Sequence, residues 1–177
     1  MKPFNVIPLL LILLGAIPNA VVAAQTCIDA IDATAPDSRY TNNNNGTVTD
    51  ADTGLMWKQC SEGLSGVDCT TDSATQHTWQ EALLLVDALN TSVDGFAGHT
   101  DWRLPNIKEL ASLVEEACHS PAINETLFPN TISSYYWSSS AYAYNSSHAW
   151  NVSFNYGSDN GNNRVNDRYV RLVRAGQ

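Results

Sequence analysis

The sequence predicts an α+β domain, with two helices in the middle of the chain and strands on either side of them. Three observations carry this. Two segments near the centre repeat apolar residues at helical spacing behind a capping residue. Segments before and after them are rich in Val, Thr, Tyr and Trp, some alternating apolar with polar. All four cysteines follow an N-terminal export address, so disulfides are expected to hold the elements together.

The export address occupies residues 1–24. Lys2 supplies a positive start, Phe4 to Ile17 an apolar core, and Val22, Ala23 and Ala24 the small residues of a cleavage site, placed after Ala24. The apolar run is interrupted by Pro8 and Pro18 and falls short of the roughly 20 residues that span a bilayer, so it reads as a signal peptide rather than an anchor. No other stretch of the sequence is apolar and long enough to span. Residues 25–177 contain no low-complexity linker and read as a single domain, secreted, periplasmic or at the cell surface.

Without Lys2, 8 of the 9 basic side chains remain against 18 acidic ones, a formal charge of −10. That balance argues against nucleic acid or sulfated polysaccharide as partners, because polyanion binding needs clustered cations. Arg164, Arg168, Arg171 and Arg174 are spaced closely enough to suggest one local basic strip.

Cys27, Cys60, Cys69 and Cys118 allow three pairings. The short Gly- and Ser-containing segment between Cys60 and Cys69 favours joining those two, which leaves Cys27 to Cys118. No CxxC spacing suggests zinc.

Along the chain, Thr47 to Asp50 and Leu55 to Lys58 read as a hairpin around Asp52, Thr53 and Gly54. The Asn-rich stretch before it lacks the alternating acidic ligands and closing Glu of a calcium loop, so it reads as turn chemistry. Thr78 and Glu81 have capping-box spacing, followed by an inward stripe of Trp79, Ala82, Leu83, Val86 and Leu89. Asp101 to Asn106 is a short extended segment with Trp102 in the core. Asn106 caps a second helix, whose stripe of Ile107, Leu110, Ala111, Val114 and Cys118 carries the cysteine inward. Glu115 and Glu116 fall on its solvated side. Tyr135 to Ser139 reads as a strand, Trp150, Val152 and Phe154 alternate with polar residues as another, and Tyr169 to Arg174 closes the chain.

No motif places an acid, base or nucleophile, no histidine has metal-ligand spacing, and no dinucleotide or phosphate loop occurs, so no catalytic residue, metal or cofactor is assigned. Ser138 to Ser140 is a serine run beside a strand. The segment 142–168 differs from the rest in texture. It offers Tyr142, Tyr144, Asn145, Asn151, Asn155, Tyr156, Asp159, Asn160, Asn162, Asn163 and Asn166, with Arg164 and Arg168 beside them and few aliphatic residues to bury. Rigid aromatic area among adaptable hydrogen-bonding groups is the mixture that binding loops use. These residues are the candidate ligand site. Asn45, Asn90, Asn124, Asn145 and Asn151 also lie in Asn-x-Ser/Thr sequons.

The order GTVTDADTGLMW, TWQEAL, DWRLPNIKELASLVEE, FPN, YYWSSS and YVRLVR resembles the collagen-like adhesin C-terminal domain family over roughly residues 40–175. The resemblance implies a C-type lectin-like fold, in the superfamily that includes formylglycine-generating enzymes: two helices packed on a small twisted antiparallel sheet. It also implies a ligand face at the C-terminal loops, the stretch composition had singled out. This chain lacks a collagen-like stalk, and no cysteine falls between YYWSSS and YVRLVR. The expectation is a non-enzymatic, adhesin-like recognition module that binds an extracellular glycan or protein, with diversification of its Asn-rich segment and homo-oligomerisation left open. A distant relative of the generating enzymes and a structural envelope subunit are the alternatives.

Overall fold

A computed structural model describes residues 24–176; the expected signal peptide lies almost wholly outside the described residues. The architecture is α+β, with two helices and small, mostly separate antiparallel sheets. Among the described residues no helix is long and apolar enough to cross a membrane.

The first sheet gathers both ends of the domain. β2 (Tyr40–Asn42), β3 (Thr47–Asp50) and β4 (Leu55–Lys58) form a meander, and β11 (Val173–Ala175) adds to β4 from the far end of the chain, in the order β11-β4-β3-β2. The expected hairpin thus forms with the predicted bounds. Its turn is organised by the Asp50 carboxylate, which accepts from the Asp52 amide (3.0 Å), the Thr53 hydroxyl (2.7 Å) and the Arg39 guanidinium (2.8 Å). Gly54 completes the turn at φ 67°, where a side chain would be strained.

The second sheet has the order β10-β9-β8, from β8 (Tyr135–Ala141), β9 (His148–Ser153) and β10 (Ser158–Asn163). The remaining strands are two-residue pairs: β1 (Thr26–Cys27) with β7 (Cys118–His119), and β5 (Leu64–Ser65) with β6 (Thr71–Asp72). Each pair sits beside a disulfide, Cys27–Cys118 and Cys60–Cys69, the pairing the spacing favoured.

α1 (Trp79–Thr91) opens with the predicted capping box, the Thr78 hydroxyl accepting from the Glu81 amide and the Glu81 carboxylate from the Thr78 amide. It packs on Trp102, Leu104, Trp137, Ala149, Val170 and Leu172 through Trp79, Ala82, Leu85, Val86 and Leu89. Leu85 takes the place expected of Leu83, which is 38% exposed. α2 (Ile107–Ala111) is capped by Asn106 as expected but is only five residues long. Its Leu110, with Leu113 beyond it, enters a second core cluster with Val48, Trp57, Phe128, Tyr136, Val152 and Phe154. Three expectations for this helix are corrected. Ala111 is exposed, Cys118 lies on β7, and Glu115 is buried. The carboxylate of Glu115 accepts from the Thr34, Ala35 and Ala117 amides, binding a passing segment where a continuing helix would lie.

Ser138 to Ser140 brace the backbone: the first two hydroxyls donate to the Trp150 and Pro105 carbonyls, and the third accepts from the Ile107 amide. The expected last strand is displaced. Tyr169 makes a parallel bridge to Tyr136, and only Val173–Ala175 forms a ladder.

Candidate functional site

The segment expected as loops is mainly a β-hairpin. β9 and β10 pair through six residues on each side, from Ser158 opposite Ser153 to Asn163 opposite His148. Side chains alternate across a strand, so this register sorts the candidates onto opposite faces. Asp159, Gly161 and Asn163 share a face with His148, Trp150 and Val152. Asn160 and Asn162 share the other with Ala149 and Asn151, the face on which α1 packs.

On the first face the aromatic rings gather. Tyr142 meets Trp150 edge-on at a centroid distance of 4.7 Å and also contacts Tyr144 (5.6 Å) and His148 (6.1 Å). Tyr142 lies over Gly161: a Cβ on that glycine would come 2.7 Å from the Tyr142 ring carbons Cδ2 and Cε2. The missing side chain makes room for the ring. Tyr144 is 89% exposed at the tip of the connection between β8 and β9. Asn145 shapes that connection, its carboxamide oxygen accepting from the Ser147 amide (3.0 Å) and hydroxyl (2.8 Å). The product is an aromatic platform, with Tyr144 exposed and Tyr142, His148 and Trp150 half-buried, bordered by Asp159 and Asn163; such rings supply contact area at low conformational cost.

Other candidates serve the scaffold or stand apart. Asn151 is fully buried, and neither of its amide atoms has a hydrogen-bond partner among the described residues; it cannot be presented on a surface. Asn155 is half-buried in the turn after β9, accepting from Ser120 and Ser133, both at 3.0 Å. Tyr156 stands beside His119, a centroid distance of 6.2 Å away. Asn160 bonds to Ser158 and Asn166 to Asn162. Asn90 is likewise engaged at both amide atoms, by the Trp102 backbone.

The basic strip does not form. Arg171 is fully buried, with bonds to the Lys58 and Gln59 carbonyls and the Ser61 and Thr131 hydroxyls. Arg174 is paired with Asp101 at 2.7 Å, a bond that holds the Asp101 carboxyl below its ordinary pKa. Arg168 lies over the Tyr135 ring and donates to the Asp167 carbonyl. Arg164 lies over Trp79. Residues 170–174 are buried on both sides of the chain, so Arg171 and Arg174 are both withdrawn from the surface and only Arg164 and Arg168 stay nearer to it.

Sequence reasoning missed Trp150, His148, Gly161 and Trp79. Trp150 and Trp79 were read as core through their periodicity, and only the register of the hairpin reveals Gly161 beneath Tyr142. Among the described residues, no group of three or more His, Cys, Asp or Glu side chains is arranged to hold a metal ion, and all four cysteines are in disulfides. Residues 46–174 match the family model of the Lcl C-terminal domain. No curated protein matches the chain.

Proposed function

The chain belongs to the Lcl C-terminal domain family, and from that premise we propose that it is a secreted, non-enzymatic recognition module that binds an extracellular glycan or protein through the β9–β10 hairpin. The observation that carries the proposal is the aromatic platform of Tyr142, Tyr144, His148 and Trp150, seated over Gly161 beside Asp159 and Asn163. Partly exposed aromatics set on a disulfide-braced scaffold offer rigid contact area, and the carboxylate and carboxamide beside them supply directional hydrogen bonds. Two disulfides suit an oxidising compartment, and the sequence of residues 1–24 supplies the route to one. We place the α+β architecture in the C-type lectin-like superfamily on the same motif order, with self-association as a means of raising avidity.

The proposal is tested with the mature domain on an immobilised glycan array and in pull-downs from extracellular material. Capture that is lost in the double variant Tyr144→Ala/Asn163→Ala, with the fold intact by circular dichroism, supports it. Capture that is unchanged in this variant contradicts it.

A further inference from the structure

Arg164 and Arg168 are the two arginines outside the core without a carboxylate partner among the described residues, and Arg168 lies over the Tyr135 ring with one Nη donating to the neighbouring Asp167 carbonyl. Arg39, Arg103 and Arg174 are each paired with a carboxylate, and Arg171 is spent on buried carbonyls and hydroxyls. The Arg164 guanidinium instead lies 4.2 Å from the centroid of the Trp79 ring. Its Nε donates to the His148 carbonyl at 3.1 Å. The backbone on both sides is tied as well: the Arg164 amide donates to the Ser147 carbonyl (2.9 Å), and the Trp79 amide donates to the Arg164 carbonyl (3.0 Å). The group is therefore held at its plane and at one nitrogen, while neither Nη has a hydrogen-bond partner among the described residues.

A cleft of about 290 Å³ is lined by Thr78, Trp79, Gln80, Arg164 and Val165. Its walls combine the indole and Val165 with the guanidinium, and Gln80 is exposed at its edge. A planar guanidinium with two free N–H donors matches a carboxylate bidentately, a fit an ammonium cannot reproduce. Stacking on tryptophan fixes its orientation in advance and lowers the ordering cost of binding. The volume lies at the small end of ligand sites and admits one ring-sized group. The net acidity of the chain opposes a polyanion approaching from a distance, but screening over roughly 8 Å at physiological salt leaves a single carboxylate at this cleft little affected by remote charges.

We propose that the Arg164–Trp79 cleft is a subsite for the carboxylate of one uronic-acid sugar residue, the carboxylate meeting the two Nη groups and the sugar ring lying against Val165 and the edge of Trp79 that the guanidinium leaves uncovered. A sugar acid presents its charge on a rigid ring and so suits a slot with a fixed cation and an apolar wall. The cleft lies on the α1 side of the sheet, opposite the Tyr142–Trp150 platform, so the inference stands independently of recognition through that platform.

The test is titration of the mature domain with glucuronate, glucose and N-acetylaspartate, followed through the Arg164 Nε–H and Trp79 Nε1–H resonances. Saturable shifts of both resonances with glucuronate are expected, with glucose and N-acetylaspartate at least about tenfold weaker, a difference of about 1.4 kcal/mol. Arg164→Lys keeps the charge and loses the bidentate geometry, so glucuronate affinity should fall at least about tenfold. Val165→Asp changes an exposed rim residue without touching the stack and should abolish binding. Tyr144→Ala should leave it unaltered. Equal binding of glucose, equal binding of N-acetylaspartate, unchanged affinity in Arg164→Lys and Val165→Asp, or no glucuronate shift in the wild type would each overturn the assignment.

Discussion

Tyr142 rests over Gly161, and a single added methyl group on the glycine would collide with its ring at 2.7 Å. The contact joins the connection after β8 to the free edge strand β10, and it holds the Tyr142 ring edge-on to Trp150. The platform therefore depends on a residue that has no side chain.

Gly161→Ala should displace Tyr142 while leaving the hairpin paired. The ring belongs to a side chain at the surface and can swing aside, so the cost in stability is expected to be about 1 kcal/mol or less. Ligand capture should fall as far as in Tyr144→Ala. Urea denaturation and capture measured on the same preparation separate the two effects. An unaltered capture would show that Tyr142 need not lie where it does.

Arg171 is a scaffold residue with a large expected effect on stability. Arg171→Met keeps much of the volume but leaves the Lys58 and Gln59 carbonyls and the Thr131 hydroxyl without their donor in a buried setting. The expected loss is about 3–5 kcal/mol in denaturant unfolding. A loss below about 1 kcal/mol would mean that water replaces the guanidinium at little cost.

Acid should destabilise the fold through named carboxylates. Two bonds from Arg103, both 2.7 Å, are the main reason the Glu109 carboxyl lies below its ordinary pKa. At Glu115 burial is the largest influence and acts upward, but the amides of Ala117, Ala35 and Thr34 together outweigh it and hold the carboxyl low. Because these folded values are depressed, the associated stability is fully present above the unfolded values near pH 4 and is lost as pH falls through the folded ones. Glu109→Gln and Glu115→Gln should each lower stability at pH 7 and flatten its decline below about pH 4, as read from thermal midpoints across pH. A variant with the wild-type slope would remove its carboxylate from the account.

The two disulfides should contribute unequally. Cys27–Cys118 spans 91 residues and Cys60–Cys69 spans 9. Chain entropy then assigns about 4–5 kcal/mol to the first and about 2–3 kcal/mol to the second. Paired Cys→Ser variants compared by urea unfolding check the order, which would be contradicted if the short loop proved the costlier to open.

Elements whose determinants are local could be read from the sequence. The Thr47–Asp50 and Leu55–Lys58 hairpin carries both its alternation and its turn residues within a dozen positions. The starts of both helices follow from capping residues three positions from their partners. Features set by distant contacts could not be read. The second helix stops early and Glu115 turns inward because its partners, Thr34 and Ala35, lie about 80 residues away. Ser158–Asn163 contains none of the residues that favour strands, yet it becomes one by pairing with β9. Within the candidate segment composition could not separate buried from exposed residues: Asn151 is buried because β9 is the central strand of its sheet, whereas Asp159 and Asn160 on the edge strand β10 are both exposed, a difference set by strand order that no residue announces.

The most direct test of the recognition role is to map a captured ligand onto the mature domain by amide and side-chain chemical-shift changes. The largest changes are expected on Tyr142 to Trp150 and Asp159 to Asn163 and should vanish in Tyr144→Ala. Changes centred instead on the far clefts beside Asn44 and Val67, and retained in that variant, would contradict that role.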